Sequence, residues 1–467
     1  MSRVTAAHRP LRIRTANRMV IGALVSASLV GVGACSWTRY DDVQENAPVL
    51  LLKKPDKLKA GFGISLATAA AGDQVRVLVG GAPNRSRGAA FAILKNQDAK
   101  IDAIDTGFCD DGANSNPCLM GNSVAGLGLA RVPGGTQGTV LDLCFAMGIG
   151  QAGGVPGILL RCRDQTEYTL AVPAGALNAV VAPALTSGEG TELHLAADKD
   201  EAAALIAGAP AQTPPLAWFY PPDSMTPIEL VPSANDASYG SSVASVRIKD
   251  GRVLAVGAPA QGHVYLFRWL DGEPAAALVG CLGGTAGFGR ALVSGRVNAD
   301  GVDELVISDD LNVHVIDGAR LAELAPTATP VCSLASLPEA ALVASFSCGS
   351  NASISGCAKS EFGVALEVAD LDGDGDGEVL VGAPRMKSRD IDTGGAVLVY
   401  DAEGDRPFLL SDVLFLSSAE EGDQLGRTLA VARTGSQEFV VAGAPGNEKA
   451  ALMFCSSFAT GLGPRCE

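Results

Sequence analysis

Residues 370–384 read DLDGDGDGEVLVGAP, an acidic, glycine-rich turn that runs straight into an apolar stretch of β character. Hard cations such as Ca²⁺ collect oxygen ligands from short loops of this kind. Asp370, Asp372 and Asp374 alternate, so their carboxylates can converge, while Gly373, Gly375 and Gly377 let the backbone wrap. Asp376 follows, and Glu378 offers a further carboxylate at the ninth position of the loop. An EF-hand needs a Glu at the twelfth position and a helix behind it. Here the twelfth residue is Val381 and the flank EVLVGAP is β-rich and ends in a turn. The chemistry expected is calcium held between strands, outside any helix-loop-helix unit, with an acidic solvated turn as the alternative.

The elements that would position such a loop recur along the chain. Phe62-Gly63 precedes VLVGGAP, Tyr239-Gly240 precedes VLAVGAP, Phe362-Gly363 precedes Pro384, and Leu425-Gly426 precedes VVAGAP. In each, a large apolar residue plus Gly stands about 20 to 22 residues before the Pro, the length of two short strands and a turn. Weaker copies fill the gaps. Phe288-Gly289 leads to ELVISDD, with Ser308-Asp309 read in place of Ala-Pro; Gly190 leads to ALIAGAP; Leu127-Gly128 leads to VLDLCFAMG without the end mark. Seven units thus begin near residues 62, 127, 190, 239, 288, 362 and 425, about 50 to 75 residues apart.

This pattern resembles the FG-GAP repeats of integrin alpha-chain β-propellers, whose calcium loops precede an apolar strand and Gly-Ala-Pro. The resemblance spans residues 62 to about 455 and implies an all-β, seven-bladed β-propeller with Ca²⁺ as a structural ion. It assigns Asp370, Asp372 and Asp374 to the first, third and fifth ligand positions. The Asp376 carbonyl falls at the seventh, and Glu378 stands where the family usually has Asp. In the fifth unit the corresponding loop, RVNADGVDE, puts Arg296 at the first position, with Asn298, Asp300 and Glu304 at the third, fifth and ninth. A guanidinium cannot ligate a cation, so an Arg-to-carboxylate bridge is the alternative for this weaker loop.

The repeat reading also stands on physical grounds. Runs of Val, Leu, Ala and Ile are bounded by Gly, Pro, Asp or Asn, and 56 Gly with 25 Pro supply turns at high density. A lone four-stranded unit cannot bury both faces, whereas radial closure covers them and leaves short, protected edges. A β-solenoid or a pair of sandwiches is the alternative architecture.

Residues 1–34 are of another kind. Arg3, Arg9, Arg12, Arg14 and Arg18 precede an uncharged stretch of 16 residues from Met19 to Ala34, short of the roughly 20 that span a bilayer. It ends in Val32-Gly33-Ala34-Cys35, which resembles the lipobox of bacterial lipoproteins. An ordinary signal peptide is the alternative. Both readings export the protein, and acylation of Cys35 would anchor it to a membrane. Ser36 after the Cys fits delivery to the outer membrane or cell surface. Residues 35–60 then form a tether, in which APVLLLKKP from Ala47 is expected to add a ring-closing strand, and 61–467 form the propeller.

Ten further Cys remain, consistent with an oxidising compartment. Neighbours pair as Cys109 with Cys118, Cys144 with Cys162, Cys348 with Cys357 and Cys455 with Cys466, leaving Cys281 with Cys332. Zinc is the rival for such pairs, but CxxC is absent and only His194, His263 and His314 follow the leader, so no tetrahedral site is expected. Without the five leader Arg the 35 basic residues fall to 30, against 51 acidic. A net charge near −21 argues against nucleic acid as a partner.

Catalysis finds little footing: there is no GxSxG, no HExxH and no Gly-rich phosphate loop before a helix. His194 and His263 lie in strand-like runs, and Asp198, Asp200, Asp309 and Asp310 read as turn residues. Trp218, Phe219 and Tyr220 are open to two readings, a contact for sugar or peptide and core packing. The function expected is binding of an extracellular protein or carbohydrate rather than catalysis. A propeller lyase or hydrolase acting on polysaccharide and a purely structural envelope protein are the alternatives.

Overall fold

A computed structural model describes residues 50–54, 62–71, 74–80, 89–95, 98–103, 123–134, 138–149, 157–162, 167–170, 194–197, 204–210, 214–222, 224, 226–298, 300–337, 341–348, 357–371, 375–388, 391–401, 408–416, 418–434 and 437–453. Strand β1 (Leu50–Lys53) comes first. Four strands follow as β2 (Ser65–Ala71), β3 (Gln74–Gly80), β4 (Ala89–Lys95) and β5 (Asp98–Ala103). The next four are β6 (Val124–Gly134), β7 (Gly138–Ile149), β8 (Gly157–Cys162) and β9 (Glu167–Leu170). After them come β10 (His194–Ala197), β11 (Leu205–Ala209), β12 (Leu216–Tyr220) and β13 (Ile228–Glu229). Next along the chain are β14 (Ser242–Ile248), β15 (Gly251–Ala258), β16 (His263–Leu270) and β17 (Ala277–Gly283), then β18 (Leu292–Gly295), β19 (Glu304–Ser308), β20 (Asn312–Ile316) and β21 (Leu342–Ser347). The last strands are β22 (Leu366–Ala369), β23 (Glu378–Ala383), β24 (Ala396–Asp401) and β25 (Leu409–Leu414), then β26 (Leu429–Thr434), β27 (Gln437–Ala444) and β28 (Lys449–Met453). Among the described residues the one α-helix is a single turn, α1 (Gly318–Ala322).

Each run of four pairs in sequence order as an antiparallel sheet, giving seven four-stranded sheets among the described residues. The sheet of β26, β27 and β28 gains its fourth strand from the other end of the chain, because Leu50–Lys53 pairs with Lys449–Leu452. The first strands pack side by side in chain order, β2 against β6, β6 against β10 and so on to β26, which returns against β2. This is an all-β propeller.

Burial explains why the second strands read as unbroken apolar runs. All eight residues of β15 and all six of β23 are buried, because each face of the sheet meets a neighbouring sheet. Val306, Val313, Val315 and Phe346 of one sheet pack with Val379, Val381, Leu398 and Tyr400 of the next, so the cores lie between sheets. The fourth strands lie at the edge and are more exposed: in β21 only Phe346 is buried among exposed or half-buried neighbours.

Among the described residues, the large apolar-Gly turn meets the Gly of Gly-Ala-Pro across the seams at Gly208, Gly257, Gly382 and Gly443. Gly426 takes φ +84° and donates its N–H to Gly443 O at 3.0 Å, closing its own unit. Its carbonyl presses on the preceding sheet, where a Cβ on Gly382 would lie 2.0 Å from it, so that position excludes any side chain. The last seam repeats this between Gly443 and Gly63 O, at 2.3 Å, and ties the two ends of the chain together. Hydroxyls reinforce the contact: Ser242 Oγ donates to Gly289 O at 2.6 Å, and Thr428 Oγ1 to Gly63 O at 2.9 Å.

Two register expectations are corrected. Gly289 N donates to Ser308 O as Gly240 N does to Gly257 O, so Ser308 replaces the Gly of Gly-Ala-Pro and not its Ala. Its hydroxyl donates to Gly363 O at 2.7 Å, supplying from this position the bond that Ser242 and Thr428 make from theirs. Leu127-Gly128 is not a unit start: it lies inside β6, at a bulge between Gly126 and Gly128, because the strand already begins at Val124.

Candidate metal centre

Strands β22 and β23 carry the sixth-unit loop, and their pairing brings Ala369 opposite Glu378. Glu378 is buried and its Oε2 accepts the N–H of Leu371 at 2.7 Å, stapling the ninth loop position to the second. Gly375 takes φ +99°, and a Cβ on Gly377 would lie 2.2 Å from Arg296 O, so the loop rests against its neighbour in the preceding sheet. Asp370, Asp376 and Glu378 are described there, while Asp372 and Asp374 lie outside the described residues. The described candidates, Asp370, Asp376 and Glu378, are acidic residues that could offer oxygen to a hard cation.

The fifth-unit loop shares the staple and little else. Glu304 is fully buried, its Oε2 accepting Val297 N at 3.0 Å, the same ninth-to-second bond. Asn298 donates its amide to Glu304 Oε1 at 3.0 Å, its Oδ1 accepts Asp300 N, and Asp300 Oδ1 accepts Val302 N. Arg296 Nε lies 3.7 Å from Asp303 Oδ1, the expected Arg-to-carboxylate bridge. These oxygens satisfy the loop's own donors. Burial pushes Glu304 up to about 8, against the Val297 N–H that lowers it and with Asp300, Asp317 and Asp303 adding to the rise.

The remaining candidates have structural surroundings. Trp218, Phe219 and Tyr220 lie in β12, all at most 2% exposed, with Trp218 Nε1 donating to Tyr220 Oη at 2.8 Å. They are core, which removes the ligand-contact reading. Asp309 is a turn residue as read: its carboxylate accepts Leu311 N at 2.7 Å, Asn312 N at 2.6 Å and the Asn312 amide. Burial acts to raise its pKa, but His314 and those N–H groups outweigh it and hold the carboxyl well below the usual range. His314 Nε2 lies 3.5 Å from Asp309 and its Nδ1 3.1 Å from Ser345 Oγ, a Ser-His-Asp sequence of contacts that the sequence did not suggest. Asp309 is engaged in the turn, accepting from Leu311 N, Asn312 N and the Thr285 hydroxyl. Asp310 faces Arg290 at 3.5 Å. His194 opens β10, while Asp198 and Asp200 lie outside the described residues.

Cys281 is bonded to Cys332 and Cys348 to Cys357. Cys144 and Cys162 face each other in the β7–β8 register. Cys35, Cys109, Cys118, Cys455 and Cys466 lie outside the described residues, as does the leader. No helix among the described residues is long and apolar enough to cross a membrane.

The stretch from the Phe362-Gly363 turn through the acidic loop and Gly-Ala-Pro to Tyr400 is one seam turn and three strands. Residues 362–400 match the family model of the FG-GAP repeat. The chain carries an FG-GAP repeat on a β-propeller. Within that repeat Phe362 is fully buried and edge-on to Tyr400, and Gly363 N donates to Gly382 O at 3.0 Å. No curated protein matches the chain.

Proposed function

We propose that this protein is an exported, lipid-anchored, seven-bladed propeller that binds a protein or carbohydrate outside the cell, with Ca²⁺ as a structural ion. The observation that carries the reading is the FG-GAP repeat at 362–400, with its acidic loop, on a propeller whose first strands run in order from β2 to β26 and back. Seven blades are supported by the seven four-stranded sheets and by β1 completing the last of them. Asp370, Asp372, Asp374 and Glu378, with the Asp376 carbonyl, would hold the ion, which when bound neutralises clustered carboxylates and cross-links two strands. The fifth-unit loop, with Arg296 at its head and its oxygens used internally, is held without a cation. Export and anchoring at Cys35 rest on the Arg-rich leader and its short apolar stretch, and the two bonded cysteine pairs support an oxidising destination. Catalysis is not part of the reading.

The test is a glycan and protein binding screen of residues 36–467 in calcium and in chelator, alongside mass spectrometry of the native N-terminus. A saturable ligand and a lipid-modified Cys35 are expected. A chain starting elsewhere and unmodified contradicts the anchor. Turnover of a polysaccharide in the same screen contradicts the binding role.

A further inference from the structure

We propose that Cys281, Cys332 and His263 form a latent site for a soft divalent cation such as Zn²⁺, closed while the two sulfurs are bonded and opened by their reduction. Sequence spacing argues against zinc because no ligands are neighbours along the chain. The sheet supplies the neighbourhood instead. His263 and Tyr265 lie on one face of β16, with Cys281 of β17 directly opposite Tyr265. An imidazole nitrogen of His263 and the two sulfurs lie within 4.8 Å of one another. Cys281 is buried, while Cys332 sits in the irregular stretch after α1, joined to β17 by the disulfide and by Ser333 N donating to Cys281 O at 3.3 Å.

The imidazole is already oriented. Asp236 Oδ2 lies 2.6 Å from His263 Nδ1 and accepts the Tyr265 hydroxyl at 2.8 Å, and the Asp236 side chain is only 11% exposed. A carboxylate only accepts, so Nδ1 carries the proton of this bond, and in the neutral imidazole Nε2 is the nitrogen left for a metal. Carboxylate–imidazole pairs of this kind fix the tautomer and raise ligand basicity around bound metals. Two thiolates and one imidazole select a soft cation over Ca²⁺ and leave a fourth tetrahedral position for water. Opening needs a two-electron reductant. A phosphine and one water give the phosphine oxide and two thiols as the Sγ–Sγ bond breaks; the thiol protons leave when the metal binds.

The probe is Co²⁺, titrated into the full chain in detergent with Ca²⁺ present, before and after phosphine reduction. Reduced wild type is expected to bind one more Co²⁺ than reduced Cys281→Ser/Cys332→Ser, with the visible bands of tetrahedral cobalt thiolate and competition by Zn²⁺. Asp236→Asn should weaken that binding about 10- to 100-fold. Equal uptake and equal spectra in wild type and the double variant overturn the proposal, as do the same bands in the oxidised chain. Should the double variant not fold, His263→Gln decides, since it leaves the disulfide in place. Unchanged affinity and spectrum in His263→Gln also overturn it.

Discussion

Glu304 and Glu378 show how one residue choice shapes a loop. Each reaches from the ninth position to the second N–H, so Glu adds a staple by its length where the family usually has Asp. The staple buries a carboxyl, and in the fifth unit this has a pH signature. Folding raises the pKa of Glu304 from 4.5 to about 8, so between those values the folded chain binds more protons than the unfolded one. Stability is therefore lost as pH rises through that window. The melting temperature of wild type should fall from about pH 5 to about pH 9 more steeply than that of Glu304→Gln, which keeps an oxygen for Val297 N–H. Parallel curves would contradict the assignment. The Arg296–Asp303 bridge is exposed on the Arg side and is expected to contribute less than about 1 kcal/mol.

At the scale of the element, the seam explains what the repeated motif is for. The apolar residue of the aromatic-Gly turn is buried, the turn Gly aims its carbonyl at the preceding sheet, and the Gly of Gly-Ala-Pro there makes room for it. Gly382→Ala should destabilise by at least about 2 kcal/mol in urea unfolding, because its Cβ meets backbone rather than a side chain that can move. Ser308→Ala should cost about 1 to 3 kcal/mol by stranding the buried Gly363 carbonyl. Ser308→Gly/Ala291→Ser moves the hydroxyl to the position that Ser242 and Thr428 occupy, and should recover part of the loss; no recovery would mean the hydroxyl is incidental. The strands, turns and acidic loop were legible because each rests on local pattern: unbroken apolar runs, Gly and Pro, alternate Asp. The exchange of Gly for Ser308 and the start of the second unit were not, since Ser308 is explained only by Gly363 in the next sheet and Leu127-Gly128 only by the bulge around it. The approach of His263 to Cys281 and Cys332 was hidden for the same reason.

For the whole molecule, stability rests on joining the two ends of the chain. Leu50–Lys53 completes the last sheet, Lys54 meets Glu448 at 2.6 Å, and Thr428 holds Gly63 O across the last seam. Deleting residues through 54 bares the edge of β28 and should lower the melting temperature and promote self-association by size-exclusion chromatography. An unchanged monomer would show that β1 is dispensable. The central claim is that the ring is a calcium-stabilised binding scaffold, and thermal unfolding of wild type and Asp372→Ala, each in calcium and in chelator, tests it most directly. Calcium at a hundredfold excess over its dissociation constant should stabilise wild type by about 2.7 kcal/mol, and Asp372→Ala should lose most of that gain. Equal melting temperatures in all four samples would contradict the account.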